Sequence, residues 1–245
     1  MKNQIAKILP GSIAEEIEIE VGDRLISING NKVIDIIDYK FLITDELLTI
    51  EIEKVDGEII EIEFEKDYDE DLGIQFVDAI LDKPKSCHNN CIFCFIDQLP
   101  SGMRDTLYFK DDDSRLSFFQ GNFLTLTNMS EEDIDRIIRY KISPINVSVH
   151  TTNVELRKKM LNNKFAGNVY DRLKRMAQGG IKINCQVVAC PGINNGVELI
   201  KTIKDLYKLY PSIENLAVVP VGVTKYREGL FNLTLYRSEE RRVGK

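Results

Sequence analysis

The stretch Cys87-His88-Asn89-Asn90-Cys91-Ile92-Phe93-Cys94 places three cysteines within eight residues. Thiolates favour soft metals, chiefly zinc and iron–sulfur clusters. A structural zinc takes four closed ligands, commonly from two Cys-x-x-Cys pairs. No second pair exists here, because the only other cysteines, Cys185 and Cys190, lie far downstream. A [4Fe–4S] cube held by three thiolates keeps one iron open to a small molecule. The spacing therefore favours the cluster; zinc, or an incidental group of thiols, stays open on the residues alone.

Outward from this loop the chain alternates between strand and helix patterns. Residues 74–80 read as a strand that leads directly into the cysteines, and 122–127 as another. Ser130 starts a helix to about Lys141, with Asp133 at the third helical position. Residues 145–150 are a strand, 153–160 and 169–177 helices, and the second helix ends at Gly179-Gly180. A long apolar strand over 181–189, a helix over 197–209 and a strand over 216–221 follow. This alternation predicts a parallel α/β sheet over residues 74–236.

Residues 1–66 read differently. A strand at 5–9 ends on Pro10-Gly11, and Ser12 is placed to cap a short helix. Val21-Gly22-Asp23-Arg24-Leu25-Ile26-Ser27-Ile28 then alternates towards Asn29-Gly30, a strong turn signal. A second helix is expected over 39–44, and two strands, 48–55 and 59–64, flank Asp56-Gly57. The pattern resembles a bacterial PDZ domain. Such domains usually hold a peptide carboxylate on a loop before the first strand of this pattern, where this chain has only four residues. A unit that packs on or gates a catalytic core is the expectation, with a protein partner as the other use. The acidic run 67–73 reads as a solvated connector.

The C-x3-C-x2-C spacing, with aromatic Phe93 before the third cysteine, is similar to that of the radical S-adenosylmethionine (SAM) superfamily. The wider run from Lys83 through Cys94-Phe95-Ile96-Asp97-Gln98-Leu99-Pro100 to the segment 108–118 resembles the DUF512 family of iron–sulfur oxidoreductases with an N-terminal PDZ-like domain. The resemblance covers roughly residues 1–236 and implies a partial (β/α)6 barrel after a small, mainly-β PDZ-like domain. It implies a [4Fe–4S] cluster on Cys87, Cys91 and Cys94, with SAM as cofactor or cosubstrate. An electron from the cluster would cleave SAM reductively, and the resulting 5′-deoxyadenosyl radical would abstract hydrogen from a substrate the resemblance does not name. An electron donor such as ferredoxin or flavodoxin is implied with it. The rival readings are a simple electron-transfer protein and a PDZ scaffold whose loop is stapled by a metal.

Further site residues come from strand ends. Gly121 and Asn122 are set against the family's SAM amino-group motif, although the usual glutamate is replaced; Leu126-Thr127-Asn128 offers a competing alignment. Ser148 and His150 share one strand face and are assigned to SAM carboxylate or ribose, with a structural role as the rival for His150. Gly192, in a Pro-Gly-x-Asn turn, would let the backbone approach the cofactor. Phe93 is assigned to adenine contact or to packing over the cluster. Arg104, Asp112 and Arg115, in one charged run, are the candidate substrate residues, against a plain solvated face. Cys185 and Cys190 read as buried small hydrophobes.

Five cysteines, three in metal-like spacing, fit a reducing cytoplasm better than a disulfide scaffold. No run of 18 apolar residues suggests a membrane span. The net charge of −7 disfavours non-specific nucleic-acid binding. After Tyr236 the periodicity is lost, and residues 237–245 are expected to be unrelated to the fold, as in a truncated or chimeric reading frame.

Overall fold

Alternation in the first part of the chain builds an antiparallel sheet. Residues 3–237 are described by the structure, a computed structural model; the expected tail lies outside them but for Arg237. The chain divides into two units, Met1–Pro84 and Lys85–Lys245. Among the described residues no helix is long and apolar enough to cross a membrane.

The first unit comprises β1 (Ile5–Ile8), α1 (Ile13–Glu16), β2 (Arg24–Ile28), β3 (Asn31–Lys32), α2 (Ile36–Leu42), β4 (Leu47–Glu53), β5 (Ile59–Glu65) and β6 (Ile74–Phe76). Strands β3-β2-β4-β5 form one antiparallel sheet. Its core face takes every second residue: Leu48, Ile50 and Ile52 are fully buried, while Glu51 and Glu53 face outward. Asn29 and Gly30 both have positive φ, as a tight type I′ hairpin requires. Helix α2 starts three residues before its expected position, because the Asp35 carboxylate accepts hydrogen bonds from Ile37 and Asp38 N–H. Ser12 sits at the N-cap of α1, but its side chain makes no capping bond.

One expectation is overturned here. The strand after the acidic run does not open the second unit. Strand β6 pairs antiparallel with β1, and Leu72, Ile74 and Leu81 enter the first unit's core. Leu9 N–H donates to Gly73 O (2.9 Å) and Ala14 N–H to Leu72 O (3.0 Å). Tyr39 on α2 meets Phe76 edge-on at 5.0 Å. The end of the supposed connector is likewise built in, with Asp71 paired to Lys40 (2.6 Å) and accepting from Gly73 N–H. The physical cause is the unpaired edge of β1 and the apolar Leu72 and Ile74, which bury beside it.

The second unit carries α3 (Ser114–Gln120), α4 (Glu131–Arg139), β7 (Ile145–Ser148), α5 (Val154–Leu161), α6 (Val169–Gln178), β8 (Ile183–Ala189), α7 (Val197–Tyr207) and β9 (Ile213–Pro220). Strands β7-β8-β9 are parallel and adjacent in that order, the arrangement that strand–helix alternation predicts. The Ser130–Asp133 capping box forms at α4. Asn153 caps α5. The strand expected over 122–127 is reduced to a single parallel bridge, Leu124 to Val147. The sheet is open and not closed into a barrel, and β9 is an exposed edge strand.

Candidate functional site

The cysteine loop is held by its backbone. Cys87 N–H donates to Lys110 O (2.7 Å), and Cys94 N–H to Cys91 O (3.0 Å). Between them, Asn90 and Ile92 donate to Leu161 O (3.1 Å) and Met160 O (2.9 Å), the last carbonyls of α5. A helix C-terminus leaves such carbonyls without intrahelical partners, so the loop satisfies α5 while α5 fixes the loop. Ser86 and Asp111 form an antiparallel bridge on the other flank. Gln98 clips the loop to the segment after β9: its Nε2–H donates to Cys94 O (3.1 Å), and its Oε1 accepts from Thr224 N–H (3.0 Å).

Behind the loop lies a buried polar network. Asn89 is 4% exposed, and its Nδ2–H lies 3.2 Å from Cys87 Sγ, 2.9 Å from Thr125 Oγ1 and 2.8 Å from Thr127 Oγ1. Asn163 Nδ2–H donates to Asn89 Oδ1 (2.7 Å). Asp112 is buried and accepts from both the N–H (2.6 Å) and Oγ1–H (2.7 Å) of Thr125. Burial raises its pKa. Asp113 accepts from Lys85 N–H (2.7 Å), caps α3 and pairs with Arg115 (2.6 Å).

In front of the loop is a cavity of about 780 Å³. All three cysteines line it, as do Phe93, Gly121, Asn122, Ser148 and His150. Gly192, Arg104, Asp112 and Arg115 do not. Asp112 and Arg115 are spent on the buried contacts above, Arg104 is exposed, and Gly192 turns the chain after β8 with positive φ. The wall also holds Asp111, from the same charged run as Asp112 and Arg115, together with Lys110 and Gln186, which residue type alone did not single out. Lys110 pairs with Asp97 (2.6 Å), and Asp111 accepts from Asn122 Nδ2–H (2.6 Å). His150 sits at the end of β7 with a φ of 62°. Its Nδ1 accepts from Val188 N–H (3.2 Å), so the remaining ring group, Nε2–H, is a donor. Its ring is 4.5 Å from Phe93. Burial, and then the Arg157 charge, hold its pKa down at about 3, leaving it neutral at ordinary pH.

The five cysteines are free; Cys185 and Cys190 are buried and neither lines the cavity, although Cys190 shares an apolar cluster with Cys91 and Phe93. Burial raises all three loop thiols, and the neighbouring sulfurs Cys87 and Cys94 add to it at Cys91, which reaches about 12. Among the described residues no group of three His, Cys, Asp or Glu side chains is gathered to hold a single metal ion. Three soft donors share one cavity wall and repel one another as thiolates. That donor set fits an iron–sulfur cluster, which takes its thiolates at separate corners and compensates their charge.

The first unit matches the family model described as a PDZ domain over residues 4–54. No curated protein matches the chain. The solved structure of Streptococcus suis SuiB is similar at a TM-score of 0.38 and 10% identity, over 47% of this chain and 25% of that one, a likeness too low to carry weight. The family model described as a radical SAM-like domain matches residues 66–216, from the end of β5 through the cysteine loop and β8 into β9. Since that match spans more than half of the chain, the protein belongs to the radical SAM-like domain family.

Proposed function

We propose that this protein is a radical SAM enzyme in which Cys87, Cys91 and Cys94 hold a [4Fe–4S] cluster with one iron open to SAM. The observation that carries this is three free cysteines on the wall of one cavity of about 780 Å³, with no fourth cysteine lining it. A closed electron-transfer centre takes four protein ligands. When bound, the cluster supplies the electron that cleaves SAM reductively, and the radical so formed begins hydrogen abstraction from substrate. The DUF512 likeness of the cysteine run, an oxidoreductase outcome and a cytoplasmic setting belong to the same proposal.

The chain's own residues hold and orient. Gly121, Asn122, Ser148 and His150 are the SAM contacts, and Asp111 fixes the Asn122 amide for that task. His150 serves as a hydrogen-bond donor of fixed tautomer and carries no charge to be neutralised. Phe93 covers the cofactor side, packed on His150. The Gln98 clip holds the 222–224 segment over the cavity and limits the entry of water. An acidic electron donor suits the second unit, which has 24 Lys and Arg against 17 Asp and Glu, whereas residues 1–84 have 8 against 22. The PDZ-like unit is a candidate protein-binding module.

The test is anaerobic reconstitution with iron and sulfide, reduction with dithionite, and assay for 5′-deoxyadenosine from SAM. Cluster-dependent product is expected, with none from Cys91→Ala. Undiminished product from that variant would sink the cysteine assignment.

A further inference from the structure

Arg157 is 1% exposed, and its hydrogen bonds all go to main-chain carbonyls. Nε donates to Val149 O (2.9 Å), Nη2 to Thr125 O and Ser148 O (2.9 Å each), and Nη1 to Ala166 O. Carbonyl dipoles solvate a guanidinium but leave its charge in place. A buried net charge is costly unless an opposite charge lies near. Two of these carbonyls, of Thr125 and Ser148, belong to residues that line the same cavity as the three loop cysteines. The helix that carries Arg157 also receives Asn90 N–H and Ile92 N–H at its C-terminus, on either side of Cys91. One element therefore docks the cysteine loop and sets a buried cation in its field.

We infer that Arg157 is the buried counter-charge of the cysteine site, a positioning residue that favours the reduced state of the cluster held there. This rests on the proposed cluster. Three thiolates on a [4Fe–4S] core leave a net negative charge, and one-electron reduction adds another. Net charge near a cluster is among the levers that set its potential, and a fixed cation in a low-dielectric site acts strongly on it. A side chain that only ties four carbonyls together would leave the potential unmoved.

The experiment is a mediated redox titration of the reconstituted full chain, followed by electron paramagnetic resonance. In Arg157→Gln, the ratio of reduced to oxidised cluster at a fixed potential is expected to fall about tenfold, which is about 59 mV for one electron. Arg157→Lys keeps the charge and loses the fork, so it should hold near the wild-type potential even where its stability drops. An unmoved potential in R157Q, or an R157K potential as low as that of R157Q, overturns the inference. Should R157Q not fold, Arg157→Met removes the same charge with an apolar side chain of similar length and carries the test in its place. A downward shift is expected there too, and no shift overturns the inference. Wild-type protein that takes up no cluster sinks the functional proposal and this inference together. A wild-type cluster with a potential indifferent to R157Q sinks only the latter.

Discussion

Replacing Asn89 by Ala removes the side chain that ties the cysteine loop to the core of the second unit, and its cost can be worked from the contacts. The Thr125 hydroxyl keeps Asp112 (2.7 Å) and Thr127 (2.8 Å) as partners, so neither threonine is stranded. Asn163 is half-buried and can turn to water. The loss with no replacement is the amide donor to Cys87 Sγ and the cavity left by a side chain only 4% exposed. A buried polar group left unpaired costs about 1–3 kcal/mol, and about 2 kcal/mol is expected here. Hydrogen exchange at Asn90 and Ile92, whose N–H groups bond α5, should therefore speed up about thirtyfold. Adding Thr127→Val removes the facing hydroxyl as well, and the pair should couple by about 0.5–1 kcal/mol. Exchange at those two amides that changes less than about twofold in Asn89→Ala would refute the reasoning, because the loop would then be held without the Asn89 side chain.

Two further outcomes follow from the geometry. His150 is neutral in the fold, with its pKa at about 3, whereas the unfolded side chain titrates near 6.5. Its stabilisation is thus whole above about pH 6.5 and lost as pH falls towards 3; between pH 7 and 5 the loss is about 2 kcal/mol. Urea unfolding of His150→Gln should lack that pH slope, and an equal slope in both proteins would remove His150 as its source. At Gly73, with φ of 78°, an added Cβ would stand 2.2 Å from Ser12 Cβ. Gly73→Ala should cost about 1–2 kcal/mol for the left-handed backbone before that overlap is counted. Ser12→Gly should relieve the overlap and not the backbone term, and a full rescue by it would contradict the φ account.

Local patterns were legible where the chain itself supplies the partner. The Asn29-Gly30 hairpin, the Ser130–Asp133 box and the alternation of β4 and β5 each depend on residues within a few positions. Strand β6 was misassigned because its neighbour, β1, lies some seventy residues earlier, and no local period reports a pairing partner. For the charged run 111–115 the sequence left a substrate-contacting segment and a solvated face both open. In the fold it is dispersed: Asp111 reaches the cavity, Asp112 turns to Thr125, and Asp113 with Arg115 closes the start of α3.

By itself the sequence determined which groups are available: three thiols at C-x3-C-x2-C, a strand–helix alternation and an acidic first unit. Only the tertiary structure decided which side chains surround the thiols. Asn89 and Gln98 stand in the cysteine run without a role legible from it, and Arg157 belongs to no motif. Their roles arise because Thr125, Thr224 and the carbonyls at the end of β7 come to them from elsewhere in the chain. Hydrogen bonds and fields act through space over a few ångströms, whereas sequence order constrains distance only between near neighbours.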